Sequence, residues 1–105
     1  MSQIYARTNF RIAPDITSDV LSQWQEILYD TAMYSGTSDD IDVFYSEDEH
    51  IIGVSILLED DPMLVLEAGS VFGYISAVVD RSKLKSSQRW FSFNDELGNV
   101  IESPV

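Results

Sequence analysis

The chain has 105 residues and a mass of 11.9 kDa, enough for one hydrophobic core and too few for two. Hydrophobic residues make up 45% and charged residues 23%, ordinary for a globular protein, and a chain without cysteine excludes disulfides, thiolate metal sites and cysteine nucleophiles. Eighteen acidic residues against six basic ones give a net charge of −12, which argues against direct binding of nucleic acid or an anionic membrane.

In chain order, Gln3 to Ile12 mixes Ile4, Ala6 and Phe10 with polar residues ahead of Pro14 and reads as a first strand. Pro14-Asp15 and Thr17-Ser18 both offer N-cap chemistry. Behind them Val20, Trp24, Ile27 and Leu28 form the apolar stripe of an amphipathic helix over about 17–34. Ile41 to Tyr45 and Ile51 to Leu58 are rich in β-branched and aromatic residues, and the polar run Ser46 to His50 joins them as a hairpin.

Glu59-Asp60-Asp61-Pro62 reads as a turn. Met63 to Leu66 and Val71 to Val79 are then expected as buried strands, because Gly69 and Gly73 disfavour a long helix. A short helix over 70–82 is the alternative. Arg89 to Phe93 and Asn99 to Glu102 flank a five-residue loop containing Gly98 and suggest a closing hairpin. The expected architecture is a single α+β domain spanning 1–105, with one helix packed on an antiparallel sheet of five to seven strands.

The order of charges is more informative than their sum. From Ile12 to Asp80 there is no Lys or Arg, while Asp and Glu occur fifteen times. Arg81, Lys83, Lys85 and Arg89 then follow with no acid among them. Three acidic clusters fall at expected turns and strand edges: Asp39, Asp40 and Asp42; Glu47, Asp48 and Glu49; Glu59, Asp60 and Asp61. Surfaces that serve solubility alone intersperse both signs. If these clusters share a face, their field would steer a basic protein partner.

Motifs for chemistry are missing. The chain contains no G-x-G-x-x-G, Walker loop, G-x-S-x-G or H-E-x-x-H, and its one histidine, His50, lies in an acidic loop. Aligning Asp48 as the first position of a calcium loop puts His50 and Ile52 where oxygen ligands are required. No catalytic, cofactor or metal site is therefore expected. No apolar stretch approaches the roughly 20 residues of a membrane span, and a cytoplasmic location is expected.

The expected function is that of a small acidic inhibitor that occludes a basic, nucleic-acid-handling enzyme, as immunity proteins neutralise nuclease toxins. The nine clustered carboxylates would take the cations that hold phosphate, with an exposed aromatic as anchor. One alternative is a phage nucleic-acid mimic of the anti-CRISPR or anti-restriction kind. A second is an assembly subunit whose basic segment meets the acidic face of another copy.

Overall fold

The computed structural model describes residues 3–35, 41–58 and 62–101. Its elements are β1 (Ile4–Arg11), α1 (Ser18–Ser35), β2 (Ile41–Ser46), β3 (Ile51–Leu58), α2 (Pro62–Arg81), β4 (Gln88–Asp95) and β5 (Val100–Ile101). The five strands form one antiparallel sheet in the order β2-β3-β1-β4-β5. The fold is α+β, with both helices packed against the sheet.

β1 holds the centre, paired along its whole length with β3 on one side and β4 on the other. Successive strand residues point to opposite faces. Ala6, Thr8 and Phe10 consequently lie beneath the helices, level with Ile52, Val54 and Ile56 of β3, and all six are buried. α1 contributes Trp24, Leu28 and Ala32, and α2 contributes Ala68, Val71, Phe72, Ile75 and Val79. The rings of Phe10 and Trp24 meet at 5.3 Å in a tilted arrangement that favours the edge of one aromatic quadrupole against the face of the other.

The start of α1 follows the expected chemistry. Thr17 Oγ1 accepts the Val20 N–H at 3.3 Å and its carbonyl accepts the Leu21 N–H at 3.0 Å, so Thr17 is the N-cap.

The second half of the chain departs from expectation. Met63 to Leu66 and Val71 to Val79, expected as two strands, belong instead to the twenty-residue helix α2, which includes most of the alternative 70–82 span. Val65, Ala68, Phe72, Ile75 and Val79 repeat at intervals of three and four, so a helix gathers them into one stripe that strands would split between faces. Gly69 and Gly73 lie on the exposed side, where an added Cβ would meet nothing within 4 Å; they weaken the helix without stopping it. Pro62 opens α2 at the one helical turn that tolerates a missing N–H. Converting these segments to helix leaves the sheet at five strands.

Ser82 follows the last residue of α2 and closes it, its N–H and Oγ both donating to the Val78 carbonyl, at 2.9 and 2.8 Å. Lys83 follows with φ 61°, the left-handed residue that commonly closes a helix. Arg81, Lys83 and Lys85 therefore cluster where α2 presents its negative dipole end. No described helix is long and apolar enough to cross a membrane.

Candidate functional site

The sheet register sorts the charged groups by end. Ile4 stands level with Leu58 and Asp95, while Arg11 stands level with Ile51 and Gln88. The Arg11 end carries the start of α1, the β2–β3 turn and the close of α2. At the Ile4 end lie the close of α1, the start of β2, the close of β3, the start of α2 and the β4–β5 turn.

Of the nine clustered acids, four are described. Asp42 is exposed on β2, in the row that runs through Ser55, Arg7 and Ser92. Glu47, Asp48 and Glu49 are exposed on the β2–β3 turn, at the Arg11 end. They share that end with Arg81, Lys83 and Lys85. Asp39, Asp40, Glu59, Asp60 and Asp61 lie outside the described residues. Asp42 and Glu47-Asp48-Glu49 thus stand at different levels of the sheet.

One ion pair forms among the described residues, Arg89 Nη2 to Asp80 Oδ1 at 2.8 Å. It ties β4 to the end of α2. No described group of three or more His, Asp or Glu side chains converges in a way that would hold a metal ion. His50 serves the backbone: it takes φ 56°, and its carbonyl accepts the Ile12 N–H at 2.9 Å, closing the hairpin against the end of β1.

Asp95 is also occupied internally. Its Oδ1 accepts the N–H groups of Asn99 at 2.9 Å and Leu97 at 3.0 Å, which builds the β4–β5 turn around the carboxylate. The Asn99 N–H, foremost, and the further donors from the Asn99 side chain, Leu97 and Gly98 hold this carboxyl below its ordinary 3.8, against a smaller opposing effect of desolvation.

The aromatic residues divide as strand and helix periodicity require. Phe91 is 62% exposed yet stacks on the buried Phe72 of α2 at 5.6 Å, and Tyr34 is 89% exposed near the end of α1. Between the helices, Asp30, Thr31, Tyr34, Tyr74 and Val78 line an open groove of about 400 Å³. This groove sets two tyrosines beside a carboxylate.

The face of the sheet that no described helix covers holds Asp42 of the acidic clusters together with cations from β1. Odd-numbered residues of β1 point to it: Tyr5, Arg7, Asn9 and Arg11. Arg7 lies over the Phe44 ring at 4.7 Å, and Arg11 over the Trp90 ring at 5.3 Å. Between these stacks the buried Asn9 donates from Nδ2 to the Trp90 carbonyl at 3.2 Å and to Ser92 Oγ at 3.0 Å. Ser92 Oγ donates onward to Asn94 Oδ1 at 2.7 Å, and Asn94 Nδ2 to the Gly98 carbonyl at 3.0 Å. The alternation Arg7-x-Asn9-x-Arg11 was the available sequence signal for this row.

No family model, curated protein or solved structure matches the chain.

Proposed function

We propose that this chain is a small acidic inhibitor that binds and occludes a basic protein, with a nuclease toxin as the favoured target. The observation that supports this reading most directly is the state of the described carboxylates. Asp42, Glu47, Asp48 and Glu49 are exposed, and the one ion pair among described residues involves none of them. Carboxylates without an ion-pair partner among the described residues are free to meet Arg and Lys of another protein, where charge-assisted hydrogen bonds are shorter and stronger than neutral ones. Tyr34 and Tyr74, exposed beside Asp30, supply the amphipathic surface that interface anchors use. The mechanism is occlusion: the inhibitor occupies the cations that otherwise grip phosphate.

The test is capture of partners on the immobilised chain, elution by rising salt, identification by mass spectrometry and an inhibition assay on the captured enzyme. A basic enzyme that elutes with salt and is inhibited at equimolar ratio is the expected result. Replacing Asp42, Glu47, Asp48 and Glu49 by Lys should abolish the inhibition. Binding indifferent to both salt and this charge reversal would remove the reading.

A further inference from the structure

We infer that the open face of the sheet is a second docking surface, one that takes an extended acidic segment of a partner protein through Arg7 and Arg11. Before position 81 these are the only Lys or Arg residues in the chain, and strand alternation sends both to the same face. On the described strands of this face the two arginines stand against a single carboxylate, Asp42, in the Arg7 row.

The two guanidinium groups are held in position. Each lies on an aromatic ring, Arg7 on Phe44 and Arg11 on Trp90, and stacking of this kind limits the side chain's freedom before any ligand arrives. The Phe44 ring folds over Gly53, where an added Cβ would stand 2.9 Å from it, and the backbone that carries Trp90 is held through its carbonyl by Asn9.

Arg7 lacks an acceptor. Its Nε is cut off from solvent and meets no hydrogen-bond partner, and it is not a member of the one ion pair among described residues. The shielded Nε is out of reach of an incoming group, whereas the two Nη groups at the end of the fork are neither enclosed nor hydrogen-bonded and are the donors open to a carboxylate. Arg11 is partly engaged, donating from Nη1 to the Glu49 carbonyl at 3.4 Å, a long bond that leaves the rest of its fork available.

Guanidinium pairs recognise carboxylate and phosphate alike. The net charge decides between them. A polyanion such as a nucleic-acid strand meets the repulsion of −12 with every phosphate, whereas a peptide carrying two carboxylates meets it only twice. The spacing specifies the peptide: residues 7 and 11 are four apart on one strand, about 13 Å at 3.3 Å per residue. An extended segment with acids at positions i and i+4 on one side matches that separation.

The test uses the full chain and a fluorescein-labelled twelve-residue peptide with glutamates at i and i+4. Its glutamine counterpart and a labelled twelve-nucleotide oligothymidine are the comparisons, all read by anisotropy. Selective binding of the glutamate peptide is expected. The Arg7→Gln/Arg11→Gln variant should weaken it by about tenfold or more, and Arg7→Lys by a few-fold, because the charge survives but the planar fork does not. Amide shift mapping on the unmodified chain guards against a variant that misfolds; expected changes centre on Arg7, Asn9, Arg11 and the Trp90 indole. Equal binding of the glutamine peptide, preference for the oligonucleotide, no binding of the glutamate peptide, or shifts confined to other faces would each overturn the proposal.

Discussion

The two faces of β1 solve different problems with the same eight residues. Beneath the helices Ala6, Thr8 and Phe10 meet apolar groups from three other elements, and burial of Trp24 and Ile75 to zero exposure shows a side sealed by non-directional packing. On the other side Arg7, Asn9 and Arg11 face no described helix, and order comes from directional contacts: two cation–π stacks and the Asn9–Ser92–Asn94 chain of hydrogen bonds. Large apolar area carries stability on the first face. The second face buries Asn9, Ser55 and Asn94, polar side chains, and keeps its geometry through directional contacts.

Paired substitutions break or sharpen that contrast. The largest effect is expected from Trp24→Ala, about 3–5 kcal/mol lost in urea unfolding, because a large buried ring packed on Phe10 leaves a cavity. Trp90→Ala, on the half-buried face, should cost about 1 kcal/mol; equal losses at the two tryptophans would end the distinction. Gly53→Ala comes next, at about 2–3 kcal/mol, since a methyl there would press on the Thr8 carbonyl from one side and the Phe44 ring from the other.

Asn9→Ala should cost about 1–2 kcal/mol, by removing the donor shared between the Trp90 carbonyl and Ser92 Oγ. In the opposite direction, Gly69→Ala and Gly73→Ala should each stabilise α2 by about 1 kcal/mol, measured as a raised unfolding midpoint, because the new methyl gains helix propensity and collides with nothing.

The smallest effect concerns pH. A carboxyl held below its unfolded value stabilises the folded state while ionised, so Asp95 contributes fully above its ordinary 3.8 and loses that contribution as pH falls through its lowered folded value. Amide exchange at Leu97 and Asn99 should quicken across that acidic range, and Asp95→Asn should remove this component of the pH response.

Elements with strong local signals were legible in the residues. The Thr17 cap and the Trp24-Leu28 stripe mark α1, and the β2–β3 hairpin is visible because two β-branched runs enclose a polar connection. α2 is not legible in the residues because Val, Ile and Gly each lower helix propensity, while the burial that overrides propensity is a property of the assembled core. Of the charged residues, the segregation of sign was plain in the chain, but the opposite ends of Glu47-Asp48-Glu49 and the β4–β5 turn follow only from strand order. Asp95 could not be told from a surface acid, because what distinguishes it is a ring of N–H donors delivered by the turn.

The amino-acid order alone determined the absence of thiol chemistry, the excess of acid, the first helix and the alternation that sends Arg7 and Arg11 the same way. Only the tertiary structure decided that α2 is a helix, that β1 lies at the centre of the sheet, and that Arg7 comes to rest on a ring from β2, beyond β3, and Arg11 on a ring from the adjacent β4. Local propensity and side-chain period act within a few residues. Partners such as Arg7 and Phe44 are brought together by strand pairing across long loops, and which partners meet depends on the burial of the whole core.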